Sequence, residues 1–425
     1  MAGEFEQITN ALKIAYPPKA IEPMVNDEAP FRKALKKSVP AGSNKASEGI
    51  LKFGGALNPP QNQGQLVDGG TLPAPKNRDD VQFQLTPTLF AGGLQIGMIT
   101  KSAANSNKSA FNRGELRRRT EETIADLGKF IEQTYAGTHG TGRRARVESD
   151  GSNTFVAALP EGTTLLRENQ YITVRTTDGG ATVRDSCDYR KITAINHDTR
   201  TVTYDGADQT LVAGDHVHPV VEASQSFTTN PFANGVRGLV DDATYLTTVH
   251  GLSRVTYPKL KSVVNSNGGV NRNLTEQILI RTLNTVRART GKRITDMWTG
   301  PGQFEKYIEF VSADRRYPVT GSSPQSMVTG YTNLVHVTPE GPLKLNLSFD
   351  IIPRELYLFN WDTFFHYVSE EMDWWQGDML KPTPTSGGFK ASYMAYLVSI
   401  ENIGCDMPLA NAVIRDLRDP SIGDA

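Results

Sequence analysis

The stretch GELRRRTEETIADLGKFIEQTYAG, from Gly114 to Gly137, restricts the folds open to this chain more than any other feature. Leu116, Thr120, Ile124, Leu127, Ile131 and Tyr135 recur at spacings of three and four, which places one apolar stripe along a helix. Arg117, Arg118, Glu121, Glu122, Asp126 and Lys129 fill the remaining surface, with Arg118 and Glu122 one turn apart. Asn112, three residues before Glu115, predicts an N-cap, and Gly137 predicts the stop. At 1.5 Å per residue the rod is about 33 Å long. A one-sided stripe needs a layer to lie on, and the residues before it offer none. They carry Pro17-Pro18, Gly54-Gly55, Pro59-Pro60, Gly69-Gly70 and Gly92-Gly93 between short apolar pieces. The helix is therefore expected to be tethered to something other than its N-terminal neighbour.

The chain's 425 residues suffice for about two or three domain cores. Its apolar content of 38% and mean hydropathy of −0.39 describe a soluble, globular chain. A formal charge of −1, from 45 basic and 46 acidic residues, argues against a general nucleic-acid coat or a membrane-surface binder. No apolar run reaches the ~20 residues of a bilayer span, and the first residues lack the pattern of a signal peptide. Cys187 and Cys405 read as free thiols, with one bridge between them as the alternative.

Residues 1–46 read as an arm of short apolar pieces, such as Ile8–Leu12, broken by proline. Within it, Arg32, Lys33, Lys36 and Lys37 of FRKALKKS read as a solvated turn, or else as a contact for an acidic surface. Residues 47–104 read as two extended limbs around a Gly/Pro-rich tip. GILKFGG gives one limb and DDVQFQLTPTLFAGGLQIGMIT the other, with Val81, Phe83 and Leu85 at the strand period. Such a hairpin is unstable alone. After the helix region, 105–154, residues 155–221 turn to short strands. Turns at Asp178-Gly179-Gly180 and Asn196–Asp198 predict a small antiparallel barrel or sandwich inserted in the chain. A mixed stretch, 222–270, precedes a helix expected to open at Asn273, pack Leu274, Ile278, Leu279, Leu283 and Val286, and stop at Gly291. ITDMWTG and QFEKYIEFV continue an α/β layer within 271–333. Residues 334–425 are β again, and PLANAVIRDL is expected to dock on that layer as a short last segment. The fold class is α+β.

Catalytic signatures are sparse. GTHGTG, 137–142, is superficially like the histidine segment of subtilisin-like proteases, but no matching serine or aspartate motif accompanies it, so it reads as a glycine-rich linker. His216 and His218 share a strand face; a third metal ligand at a recognisable spacing is missing. No phosphate loop, dinucleotide loop, His-Glu-x-x-His or complete calcium loop occurs. The aromatic stretch 361–378 fits either stacking on sugars or bases, or buried packing. No catalytic residue, metal ligand or cofactor is therefore assigned, and the chain reads as one built to make contacts.

The order of these parts resembles the major capsid protein of tailed bacteriophages, the Hong Kong 97 phage fold. The resemblance rests on APFRKALKK in the arm, ELRRRTEETIADLGKFIEQTYAG, LTEQILIRTLNTVRARTGKRITDMWTGPGQFEKYIEF, and ASYMAYLVSIENIGCDMPLANAVIRDL. It covers nearly the whole chain outside 155–221. It implies an N-terminal arm, an extended hairpin (the E-loop), a spine helix in a peripheral P domain and an axial A domain, with the β module as an insertion. It also implies a non-enzymatic subunit that assembles with many copies of itself, as pentamers and hexamers, into an icosahedral head around double-stranded DNA. Such a subunit is built in the host cytoplasm and resides in the virion. Its expected partners are a separate scaffolding protein or none, a portal and a decoration protein. Arm and hairpin would then find their apolar partners on neighbouring copies. Lys52, Phe53, Val81, Phe83 and Leu85 of the hairpin, and Arg117, Arg118, Glu121 and Glu122 of the helix, are the expected assembly contacts. Leu116, Ile124, Leu127, Ile131 and Tyr135 would pack the helix on its own sheet. Only about 46 residues precede the hairpin, which weakens a case for cleavage of a leading domain. Lys52 and Lys76 lie where some relatives cross-link, but no acceptor asparagine matches, so that chemistry is not carried over. An encapsulin-type nanocompartment shell is the alternative within the fold. A β-rich carbohydrate-binding or hydrolytic protein is the alternative from another class.

Overall fold

The computed structural model describes residues 18–40, 43–46, 49–58, 79–97, 110–223, 225, 227, 232–313, 335–338, 341–375, 381–385 and 388–422. Ile8–Leu12, the hairpin tip with Lys76, and the side chain of Leu116 lie outside the described residues and side chains. Helices are numbered α1 (Pro18–Glu28), α2 (Pro30–Ala34), α3 (Ala110–Glu132), α4 (Val236–Leu239), α5 (Glu276–Thr290) and α6 (Pro301–Ala313).

The long helix α3 buries Thr120, Ile124, Leu127, Ile131 and, in the π-helical turn Gln133–Gly137 that continues it, Tyr135. Its charged side carries pairs between Arg117 and Glu121 at 2.8 Å and between Arg118 and Glu122 at 3.0 Å. Exposed pairs of this spacing contribute about 0.3–0.5 kcal/mol each. Because α3 opens at Ala110, Asn112 lies inside its first turn and is not its cap. Gly137 does end the helical run, but for a packing reason. A Cβ there would sit 2.5 Å from Leu165 and 2.7 Å from the Asp350 carbonyl, with no left-handed backbone involved.

The helix lies against a sheet whose longest strand is β20 (Gly388–Cys405), paired with β18 (Phe364–Trp374) and β19 (Lys381–Thr385) on one side and β4 (Thr88–Gly97) on the other. The expected second limb of the hairpin is thus two strands. Pro87 has no N–H to give a ladder, and the chain breaks there. β3 (Asp79–Leu85) stays in the hairpin with β2 (Leu51–Asn58), to which the short β1 (Asn44–Lys45) adds an edge. β4 leaves to pair antiparallel with β20, Thr88 opposite Glu401 and Gly97 opposite Ser392.

Two expectations fail here. The arm, from Pro18 onward, folds on its own chain: Ile21, Val25, Phe31 and Leu35 are buried in the main core. The Phe31 ring lies 5.3 Å from Trp298 and 5.8 Å from Phe359. The base of the hairpin does the same. Phe53 stacks on Phe83 at 4.9 Å, both meet Phe365 or His250 edge-on, and the Gln84 N–H donates to the His250 carbonyl at 3.0 Å. His250 sits between β11 (Thr248–Val249) and β12 (Leu252–Ser253), a two-stranded ribbon. Arm and hairpin root thus find their second layer in segments that lie far along the sequence. Phe53, Phe83 and Leu85 are therefore core residues of their own chain, whereas Lys52, Val81 and Glu121 are half-buried and Arg117, Arg118 and Glu122 exposed.

A second core fills a mixed sheet in the order β13 (Val263–Asn265), β21 (Ala412–Ile414), β17 (Leu356–Phe359), β14 (Asp296–Thr299), β16 (Gly341–Leu347) and β15 (Val335–Thr338). Val286 of α5 and Tyr307 of α6 join Met297, Leu345, Leu358 and Ile414 there. The cap of α5 is Thr275, whose hydroxyl accepts the Ile278 N–H at 3.4 Å, and not Asn273. Gly291 closes it at φ +67°, donating to the Arg287 carbonyl at 2.8 Å. PLANAVIRDL does not dock on the layer from outside. It supplies β21, held between β13 in parallel and β17 in antiparallel.

Between α3 and α4 the chain makes a closed antiparallel barrel, in the order β10 (His216–Pro219), β5 (Ala145–Gly151), β6 (Thr154–Ala157), β9 (Thr201–Tyr204), β8 (Arg190–Asn196), β7 (Tyr171–Arg175). Its strands begin at Ala145, before the boundary at 155 read from the sequence. Val147, Phe155, Ile172, Val174, Ile192, Val202 and Val217 fill a core of their own. Cys187 belongs to that core and Cys405 to the main one, so the two thiols are separate and free, each pushed up to about 12 by burial.

Candidate functional site

The barrel is joined to the body through Asp178, the residue of the predicted Asp178-Gly179-Gly180 turn. The loop after α3 carries His139, Thr141 and Arg143 to it. Thr141 donates to one carboxylate oxygen at 2.5 Å, and Arg143 Nη1 donates to the other at 2.7 Å. His139 Nε2 lies 2.7 Å from the same oxygen as Arg143, and His218 Nε2 of β10 lies 3.4 Å from its partner. Burial works to raise this carboxyl, but His139, His218 and Arg143 outweigh it and hold it well below the usual range. Burial in turn pushes His139 and His218 down, and His216 to about 4.

The cluster is structural in its geometry. A hydroxyl, an imidazole and a carboxylate meet, yet Thr141 and Asp178 both contact the same nitrogen, His139 Nε2. A relay needs the two ring nitrogens to serve two partners. Among the described residues no group of three His, Cys, Asp or Glu is placed to hold a metal ion. Arg143, between Asp178 and His216, fills the position a cation would take.

From Arg143 an alternating chain of charges runs into the body. Arg143 Nη2 meets Glu161 at 2.7 Å, Glu161 meets Arg237 at 2.6 Å, and Arg237 meets Glu355 at 3.2 Å. Glu355 lies 3.7 Å from Arg415, which binds Asp241 at 3.0 Å, and Asp241 lies 3.5 Å from Arg254. Every member is buried. Their desolvation costs several kcal/mol per ion, so the network returns little net stability while making the loss of any one partner expensive. It fixes the barrel to the body.

A second buried network ties down the arm. Arg32, expected as part of a solvated basic turn, forms a fork with Glu401 of β20 at 3.0 and 2.7 Å. The Tyr135 and Ser399 hydroxyls donate to the same carboxylate, and the Phe31 N–H donates to Glu132 of α3. Lys33, Lys36 and Lys37 remain exposed, as that turn requires. Neither network carries a sequence motif. A buried arginine and a surface arginine look alike until the partner is known.

One histidine gives a pH-dependent expectation. His250 Nε2 accepts the Cys405 N–H at 3.1 Å, Nδ1 has no partner, and burial, with the charge of Arg254 beside it, pushes the ring down to about 4. A histidine depressed on folding contributes stability that is complete above its ordinary value of ~6.5 and lost as pH falls toward the folded value. The advantage of the wild type over His250→Gln in urea midpoint is expected to shrink between pH 7.5 and 4.5. A gap independent of pH would contradict this.

No helix among the described residues is long and apolar enough to cross a membrane. No family model and no curated protein matches the sequence. Solved structures do. A chain of the "Cyanophage A-1(L) capsid asymmetric unit" is 13% identical with a TM-score of 0.53, covering 92% of this chain and 93% of that one. A "Capsid of empty GTA particle" chain is 7% identical with a TM-score of 0.43, covering 92% and 90%. A "virus-like particle from Pyrococcus furiosus" chain is 7% identical with a TM-score of 0.35, covering 93% and 96%. The cyanophage likeness shows a shared fold over nearly the full length of both chains.

Proposed function

We propose that this chain, which has the fold of tailed-phage major capsid proteins, is the major head subunit of a tailed phage. It forms pentamers and hexamers of an icosahedral shell enclosing double-stranded DNA, is assembled in the host cytoplasm and resides in the virion. The observation that carries the reading is the likeness to the cyanophage capsid chain over 92% of this chain and 93% of that one. In this reading β2 and β3 are the root of the E-loop, α3 is the spine helix, and the sheet of β18, β19, β20 and β4 belongs to the P domain. The mixed sheet with α5 and α6 is the A domain, and the barrel is an insertion. A net charge of −1 suits a wall that encloses a polyanion without adhering to it. A portal, a separate scaffolding protein and a decoration protein are the further partners this role would involve.

The hairpin supplies the test. Its root is held by its own chain through Phe53, Phe83 and Leu85, so residues 59–78 can be replaced by a short Gly-Ser turn without opening the core. The variant is expected to unfold at the same urea concentration as the wild type and to form no closed shells. Normal shells by electron microscopy would remove the assembly role given to the hairpin.

A further inference from the structure

A cleft of about 600 Å³ lies between α3, β4 and the barrel. It belongs to neither ionic network. Arg144 lines it and is 1% exposed. One guanidinium nitrogen donates to the Thr134 hydroxyl at 2.9 Å, and the group stacks on the Phe130 ring, 4.8 Å from its centroid. The other two nitrogens, Nε and Nη1, have no partner. Arg167 lines the same cleft, and its Nη2 is also buried without a partner. Asp350 acts on both arginines, and Asp126 and Glu28 on Arg167, at longer range; Asp126 and Glu168 also line the cleft. A guanidinium stays charged at neutral pH and presents a planar fork suited to carboxylate. Arg144, buried with no anion in hydrogen-bond contact, keeps much of its desolvation cost.

Two more features surround these cations. Among the described residues β4 is paired with β20 alone, and Thr88 to Gly93 of β4 all line the cleft. The rim carries exposed apolar side chains beside Glu168 and Asn169: Leu89 is 56% exposed and Val221 78%, with Tyr171 next to them. An unpaired strand edge, apolar flanks and unsatisfied guanidiniums are three complementary demands.

We propose that this cleft docks an extended protein segment carrying a carboxylate between apolar side chains. The segment pairs its backbone with the edge of β4 opposite β20, lays apolar side chains on Leu89, Tyr171 and Val221, and places its carboxylate on Arg144 and Arg167. The cleft is formed within one chain, so the inference stands apart from shell formation.

The probe is a fluorescein-labelled pentapeptide, Leu-Val-Glu-Leu-Val, compared with its Gln counterpart by fluorescence anisotropy on the full-length chain. The Glu peptide is expected to bind about tenfold or more tightly than the Gln peptide, as for a charge-assisted fork. Arg144→Met is expected to abolish that preference and Arg167→Met to reduce it. N-methylation of alternate amides is expected to abolish binding through the lost strand pairing. Equal affinity for the two peptides, absence of binding, or a preference unchanged in Arg144→Met would overturn the proposal. So would displacement of the peptide by an equal concentration of octanoate, which would assign the cleft to small carboxylates. If Arg144→Met does not fold, the Glu-against-Gln comparison and the partly exposed Arg167 still decide.

Discussion

Ile124→Asp is expected to yield no folded, soluble chain. Ile124 is fully buried at the middle of α3, in the core that also takes Leu127, Ile131 and Tyr135. The substitution removes a large apolar side chain, which alone costs about 2–5 kcal/mol on truncation. It then places a carboxylate in the apolar core that holds Ile21, Val25 and Phe90. That burial costs several kcal/mol more. Together these approach the ~5–15 kcal/mol by which domains are stable at all. Ile124→Val, which keeps the site apolar, is expected to cost only about 0.5–1.5 kcal/mol. Soluble yield and circular dichroism of the two variants check this. A soluble, helical Ile124→Asp chain would show that the stripe does not face the core.

Arg237→Leu is expected to lower stability by about 3–5 kcal/mol at pH 7, as for a buried ion stripped of its partner. Arg237 is the centre of the alternating network: it binds Glu161 at 2.6 Å, Glu355 at 3.2 Å and the Tyr245 hydroxyl at 2.9 Å. Without it, Glu161 keeps Arg143, and Glu355 keeps Arg415 and the Tyr357 hydroxyl. The sign of the pH dependence is set by Glu161. Burial works to raise this carboxyl, but Arg237 and Arg143 hold it well below the usual range. Its contribution is therefore present above an ordinary glutamate value of ~4.3 and lost as pH falls below it. The difference between wild type and variant in urea unfolding is expected to narrow below that pH. A loss under 1 kcal/mol, or a difference that widens in acid, would contradict the network's role.

The elements with local signals were legible in the sequence. The Thr120–Tyr135 spacing, the Gly291 stop and the turn residues Asp178 and Asn196 each report a backbone or packing requirement within a few positions. Asn196, for one, accepts the N–H groups of Asp198 and Thr199 at 3.1 Å. What the sequence concealed is long-range. Proline and glycine around the arm and hairpin mask apolar residues whose layer is β18 and β20, hundreds of positions later. Arg32 reads as a surface charge because its partner is Glu401. The ionic junction joins residues from Arg143 to Arg415 that no spacing rule connects. β21 was misplaced for the same reason: three residues, Ala412–Ile414, carry too little periodicity to reveal two strand partners.

The central claim is that copies of this chain close into a shell. Sedimentation and electron microscopy of the purified full-length protein test it most directly. The expected result is closed icosahedral particles built of pentamers and hexamers; a chain that stays monomeric or forms only small oligomers would contradict it.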